Sequence, residues 1–366
     1  MKQLLSLAVL MVITISVTKA GQQTTTSSEA YSAGCYFYTL GDTVNAVKCF
    51  QKAAKAGSNS GRYFYGLCMI DGIGGVKPNK KAGLKMIRKA AENSEPDALY
   101  FLGTLYETGE YGYSVNEAEA LRLYQEASKM GSFESLIACG NTYFSKADTA
   151  TAIDFWKRAV EEAPIFPTDE QRAALGQITY NLGFFYQYGY GNVQDLYEAS
   201  VYYHGSVQYG NTKDAAFQLG LISLDNEDDP NQCLATYYFT QAAETGNLEA
   251  YVYLGAIERL NGNDEQAFIY YLAAANGGSA NGMYCVASLY YDNGDYNSTL
   301  YWASQCTDNA LAEYLLGLAY YCLEDYEKAK FYLQRCVYKY HLDDAITMLK
   351  QLESDETLNR DGLVEL

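Results

Sequence analysis

Asp97-Ala-Leu-Tyr-Phe-Leu-Gly-Thr-Leu-Tyr106 decides the fold, together with the loop from Gly109 to Val115, the run from Ala118 to Met130, and Gly131. Ala98, Leu102, Leu105 and Tyr106 keep a helical period. The glycine-containing loop breaks that period, and Leu121, Tyr124, Ala127 and Ser128 restart it. Gly131 stands where a helix C-terminus calls for a left-handed residue. One helix, one loop, a second helix and a glycine stop make an αα-hairpin.

Outward from this unit, Gly103 is one of a series: Gly34, Gly66, Gly103, Gly140, Gly183, Gly220, Gly255 and Gly317, with Ala287 at the missing step. The intervals run from 30 to 43 residues, the period of a helical-hairpin repeat. A second small-residue landmark keeps step with it: Ala53, Ala90, Ala127, Ala159, Ser206, Ala242, Ala274, Cys306 and Cys336. Two small positions in register across nine units mark helices that approach closely, and larger residues there would overpack. The aromatic before the second landmark (Phe50, Tyr124, Trp156, Tyr203, Phe239, Tyr271) is the bulky partner expected to fill the adjacent hole. The expected fold is all-α, a right-handed α-solenoid of about nine helix-turn-helix repeats.

The fifth unit repeats the grammar in Asn181-Leu-Gly-Phe-Phe-Tyr-Gln-Tyr-Gly-Tyr-Gly-Asn-Val-Gln-Asp195, and the sixth and seventh close with Ala242-Ala-Glu-Thr-Gly246 and Ala274-Ala-Asn-Gly277. Together these residues resemble the Sel-like repeat (SLR) family, a relative of the tetratricopeptide repeat. Its pattern is L-G-x-x-Y, a G-x-G-V-x-x-D loop, then Ala, an aromatic and A-A-x-x-G. The resemblance spans about residues 29–340. Units one, four and seven to nine lack the long Gly-x-Gly loop, and the eighth has Val286-Ala287 in place of Leu-Gly. Between units four and five, Pro164 and Pro167 forbid a regular helix. A kink within one superhelix is expected there, with separate domains as the alternative, between repeats one to four (29–163) and repeats five to nine (164–340). Residues 341–366 read as a capping helix and a polar tail.

The N-terminus stands apart. Lys2 precedes an apolar run from Leu4 to Val17 that ends in Thr18-Lys19-Ala20, the layout of a secretory signal peptide over residues 1–20. Residues 21–28, rich in Gln, Thr and Ser, read as a disordered lead-in. The expected location is secreted or extracellular, with the endoplasmic-reticulum lumen as the alternative. No later run is long and apolar enough to span a bilayer, so no stable membrane insertion is expected after cleavage. Without Lys2 and Lys19 the chain has 24 basic against 44 acidic residues. Such a surface repels nucleic acid and anionic lipid and favours basic or calcium-loaded partners.

Three residues before six of the nine markers lie Tyr31, Tyr63, Tyr100, Tyr180, Tyr284 and Tyr314, with Ile137, Phe217 and Val252 at the other three; four after the markers lie Tyr38, Phe144, Tyr291 and Tyr321 among more varied residues. The two series are seven residues apart and share one face of the first helix. In the SLR family that face tends to line a concave groove, so the resemblance implies a tyrosine-lined site for a partner peptide or helix. The other reading of the same tyrosines is inter-repeat packing.

Nine cysteines in a secreted chain include two pairs level with each other about a hairpin turn, Cys35 with Cys49 and Cys285 with Cys306, as disulfide candidates. Asn297-Ser-Thr299 is the glycosylation sequon. The two histidines have no metal-type partner, and no catalytic or phosphate-binding motif occurs, so neither a cofactor nor a metal is implied. The expected function is a non-catalytic protein-binding scaffold. A carbohydrate-binding surface protein is the second reading, and a secreted hydrolase of the β-lactam-binding type the third.

Overall fold

The computed structural model describes residues 26–191, 193–225, 232–306 and 309–362. Over these residues the chain is all-α, with nineteen α-helices and no strand. They pair into nine hairpins and a closing helix. The hairpins are α1 (Ser27–Thr39) with α2 (Thr43–Lys55), α3 (Asn59–Asp71) with α4 (Lys80–Ala91), and α5 (Pro96–Thr108) with α6 (Glu117–Ser128). Next come α7 (Phe133–Ser145) with α8 (Thr149–Glu161), α9 (Asp169–Tyr188) with α10 (Leu196–Gln208), and α11 (Thr212–Leu224) with α12 (Gln232–Glu244). The last three are α13 (Leu248–Leu260) with α14 (Asp264–Asn276), α15 (Ala280–Asp292) with α16 (Tyr296–Ala303), and α17 (Ala310–Cys322) with α18 (Tyr326–Tyr340). Helix α19 (Asp343–Gly362) closes the array.

Local chemistry sets the helix ends. Asp42, Asn79, Asn116 and Asp148 stand before second helices, and each side chain accepts the backbone N–H three residues on. In the long-loop hairpins Gly72 and Gly109 end the first helix at φ 72° and 75°, a conformation glycine adopts without strain.

The marker glycines explain the hairpin core. A Cβ built on Gly34 would lie 2.6 Å from the Phe50 ring; on Gly220, 2.5 Å from Phe239; on Gly255, 2.5 Å from Tyr271. The aromatic of the second helix therefore fills the hole left by the missing side chain, as the sequence implied. Two hairpins vary the rule informatively. In the second, Ile87 replaces the aromatic, and Gly83 lets the helices close until a Cβ on Gly66 would be 2.9 Å from the Gly83 carbonyl. In the eighth the pair shrinks on both sides, with Ala287 and Ala303 fully buried in one cluster.

The chain divides into two compact units, Met1–Asn211 and Thr212–Leu366. Within the first, consecutive helices from α1 to α10 pack in sequence, and the first helix α3 also touches the first helices α1 and α5. Within the second, the same holds from α11 to α19, with α13, α15 and α17 in contact.

Three boundaries differ from the sequence reading. The proline segment 162–168 is non-helical as expected, yet it lies inside the first unit. Beyond it α9 gains two extra turns, held by a Thr168–Gln171 capping box and by Leu175 and Ile178 buried against Ile153 and Trp156. At the N-terminal end, Ser27 and Ser28 belong to α1 rather than to a lead-in, because its N-cap Thr26 and Glu29 cap each other reciprocally. At the other end α19 runs to Gly362 through most of the expected tail, anchored by fully buried Ala345 and Leu352 against Leu333 and Cys336. The expected signal peptide and residues 21–25 lie outside the described residues.

Candidate partner-binding face

The first helix of each hairpin carries both expected rows of side chains. In the row before the marker, three tyrosines lean on the aromatic of their own second helix. Tyr31 is 6.1 Å from Phe50, Tyr100 is 5.6 Å from Tyr124, and Tyr180 is 5.5 Å from Tyr203. The row also bridges hairpins, with Tyr31 5.7 Å from Phe64 and Tyr63 6.3 Å from Phe101. Tyr63, 6% exposed, is enclosed and drops out of the residues able to touch a partner. Tyr31, Tyr100, Tyr180, Tyr284 and Tyr314 remain half-buried, each with an inner edge in the core. Burial raises the hydroxyl pKa of Tyr100, and the Glu134 and Glu107 carboxylates add to the rise.

The row after the marker is mixed. Glu107 and Gln187 accept the core hydroxyls of Tyr124 and Tyr203 at 2.8 and 2.7 Å. Tyr38, Tyr291 and Tyr321 are half-buried, the last two 5.5 Å from Tyr296 and 5.8 Å from Tyr326. The Tyr291 hydroxyl meets the Cys322 thiol at 3.6 Å.

Phe144 is 46% exposed and belongs to a larger cluster. It packs 5.6 Å from Phe185, which adjoins Phe184; Phe184 in turn lies 4.7 Å from Tyr188 and 5.8 Å from Tyr190. Tyr188 and Tyr190 are 50% and 55% exposed, so α7 and α9 present an aromatic surface larger than scattered single residues. Sequence reasoning missed Phe184, Tyr188 and Tyr190. Their signal was the run Phe184 to Tyr190, with more aromatics than one buried helix face can enclose.

A row of acids was missed too. Asp97, Glu134, Asp214 and Glu249 each stand one turn ahead of the first row, in the first turn of a helix. That position also suits the helix dipole. Around Tyr63 and Tyr100 they go further. Burial, with Glu134 and Glu95 nearby, pushes the Asp97 carboxyl up to about 7. Glu95 accepts from the Ser60 hydroxyl at 3.1 Å and Glu134 from the Gln171 amide at 2.8 Å. Among the described residues no cation pairs with any of the three.

All nine cysteines are free thiols, so neither Cys35–Cys49 nor Cys285–Cys306 is bonded in this structure. Level positions about a turn were not enough, because the thiols face different neighbours. Cys35 lies in the core beside Leu67 and Cys68, whereas Cys49 is only half-buried and outside that cluster. Cys285 packs on Ala267 and Tyr271 of the preceding hairpin, but Cys306 packs on Ala312 and Leu315 of the following one. Burial pushes the thiols of Cys285 and Cys306 up to about 11, which leaves them unreactive near neutrality. Asn297 is exposed in the first turn of α16, while Thr299 of its sequon is buried and donates to the Asp295 carbonyl at 2.9 Å.

Away from these rows, a cleft of about 360 Å³ opens beside Asp169, Arg172, Gly176 and Tyr209. It pairs no nucleophile with a base. Among the described residues no group of three His, Cys, Asp or Glu side chains is placed to hold a metal, and no helix is long and apolar enough to cross a membrane.

Comparison with known proteins agrees with this architecture. A protective antigen of uropathogenic Escherichia coli strains that displays an SLR fold is similar at 22% identity and a TM-score of 0.56, over 85% of this chain and 76% of that one. A Sel1 repeat protein from Oxalobacter formigenes is 25% identical over 60% of this chain and 88% of that one, with a TM-score of 0.47. A search of curated proteins gave no match. The Sel1 repeat model matches residues 30–58, 60–95, 96–132, 179–205, 213–247, 249–279 and 309–335, leaving out the fourth and eighth hairpins. With most of its length accounted for in this way, the chain belongs to the Sel1 repeat family.

Proposed function

We propose that this chain is a non-catalytic scaffold of the secretory pathway or extracellular space, holding a peptide or helix of a partner protein along its first helices. Sel1 repeat proteins are generally protein–protein interaction scaffolds. The observation that carries the reading for this chain is the aromatic cluster of exposed Phe144, Tyr188 and Tyr190 with half-buried Phe184. Large rings with exposed edges on a fixed helical base are the anchors that protein interfaces favour. The half-buried Tyr100 and Tyr180 and the unneutralised Glu95, Asp97 and Glu134 belong to the same unit and favour a segment that is neutral to basic. The N-terminal run Leu4 to Val17 with Thr18-Lys19-Ala20 supports export, which N-terminal sequencing of the secreted chain would test.

The test is selection from a displayed peptide library, followed by calorimetry of the selected peptide against the wild type and a Phe144→Ser/Tyr188→Ser/Tyr190→Ser variant. These side chains are exposed, so the variant should keep its helicity and melting. Loss of at least about tenfold in affinity is expected, since interface aromatics are typical hot spots. Unchanged affinity would remove the cluster from the site. A second reading, glycan stacking, has the near-parallel Phe184 and Tyr190 rings in its favour, their planes 13° apart. A chain that selects no peptide but retains an oligosaccharide through these rings would establish that reading instead.

A further inference from the structure

The average charge of this chain conceals a sharply divided surface. Against a formal net charge of −18, residues Thr43 to Ala91 contain ten basic residues and one acid, Asp71. Helix α2 places Lys48, Lys52 and Lys55 at i, i+4 and i+7, so they form one stripe. Helix α4 carries a like stripe, with Lys81, Lys85 and Lys89 at i, i+4 and i+8. All six are exposed, while Val47, Phe50 and Ala53 of α2 and Leu84, Ile87 and Ala90 of α4 face the core. Both helices pack against α3 and are second helices of their hairpins, so the stripes lie apart from the rows on the first helices. None of the six is in an ion pair among the described residues. The two arginines of the segment are engaged locally, Arg62 with Asn59, and Arg88 with the Tyr113 hydroxyl at 2.7 Å and its ring at 5.2 Å.

The composition of the patch selects its partner. Val44 is the one large hydrophobic exposed between Thr43 and Ala91, so the stripes offer no buried anchor of the kind protein interfaces use. They expose no aromatic ring for nucleic-acid bases to stack on. What remains is lysine: point charges on flexible stems, without the rigid fork with which arginine reads one phosphate. Such an array suits a diffuse anionic plane. We propose that the outward face of α2 and α4 is an electropositive docking surface for an anionic lipid bilayer. At physiological salt, charges beyond about 8 Å are screened, so acids farther off do not cancel this face; Asp42, the N-cap of α2, is the near acid and interacts with Lys48. The repulsion from anionic lipid that the average charge implied gives way to attraction on this face. A partner held by the first helices and a membrane met by the second are compatible in one molecule.

The test is co-sedimentation of the purified chain with phosphatidylcholine vesicles, with and without a third of phosphatidylserine. Binding is expected only to the anionic vesicles, fading as salt is raised. Each neutralised lysine should weaken it about fivefold, so Lys48→Gln/Lys52→Gln/Lys81→Gln/Lys85→Gln should fall to background. Because these side chains are exposed and unpaired, helicity and melting should match the wild type. A control, Lys213→Gln/Lys350→Gln, removes exposed cations of the second unit and should bind as the wild type does. No binding by the wild type, equal binding by the quadruple variant, or equal loss in the control would each overturn the proposal. So would capture by soluble heparin without capture by anionic vesicles.

Discussion

Phe239 fills the space that a side chain at position 220 would need, and that one contact carries the logic of the hairpins. Gly220→Ala gains up to about 1 kcal/mol of helix propensity. It also drives a methyl to 2.5 Å from a ring that has no room to retreat. Overpacking costs about 1–3 kcal/mol, so the net effect is destabilising. Adding Phe239→Leu should recover part of the loss, giving a double variant more stable than the sum of the two single changes. Additive urea-denaturation energies would show that the two sites do not share this space. Asp97 gives a second prediction at this scale. Its folded pKa of about 7 lies above the ordinary aspartate value, so the folded state holds the proton more tightly. Stability from this group is therefore fully present below about pH 4 and is lost as pH rises towards 7. Asp97→Asn should stabilise the chain by roughly 1–3 kcal/mol at pH 8 and change little at pH 4, read from thermal melts at both pH values. A larger gain at pH 4 would contradict the assignment.

At the scale of elements, the hairpins were legible because their determinants are periodic and local. The marker glycines, their bulky partners and the cap residues each act within one unit, so a single sequence carries them all. The eighth hairpin illustrates how far that goes: Ala287 looked like a lapse in the pattern, yet Ala303 opposite makes room for it. The site was less legible. A tyrosine that bridges two hairpins and one that faces a groove occupy the same helical position, and only burial separates Tyr63 from Tyr100. The pairing of cysteines failed for a related reason, since level positions about a turn do not say which neighbouring hairpin a side chain faces. The polar composition near the C-terminus hid the length of α19, whose two buried anchors sit seven residues apart. Leu352→Ala should cost about 2–5 kcal/mol, as a cavity at a fully buried leucine does. The loss should appear first in the amide exchange of α18 and α19. A change within experimental error would mean that α19 does not cap the array.

At the scale of the whole molecule, each of the two units is a stack in which a helix meets chiefly its sequence neighbours, and its stability should therefore spread as a chain of local terms. A compact globule shares one core, so damage anywhere lowers protection everywhere; a stack confines it. The second unit offers a clean comparison. Gly220→Ala injures the α11–α12 hairpin, which packs onward against α13, whereas α17 to α19 share no contact with it in the succession of packed pairs. Native-state hydrogen exchange should quicken in α11, α12 and α13 by the factor that the stability loss dictates, about tenfold for each 1.4 kcal/mol. Protection in α17 and α18 should stay at the wild-type level, because their own pair, Gly317 with Leu333, is untouched. Uniform acceleration through α19 would instead make the unit a single cooperative block. A side chain lost from a docking surface would then be felt along the whole stack, and binding at one hairpin would stiffen those far from it. Confined acceleration leaves each hairpin free to change its exposed rows without endangering the rest, which is the property a binding scaffold needs to fit new partners.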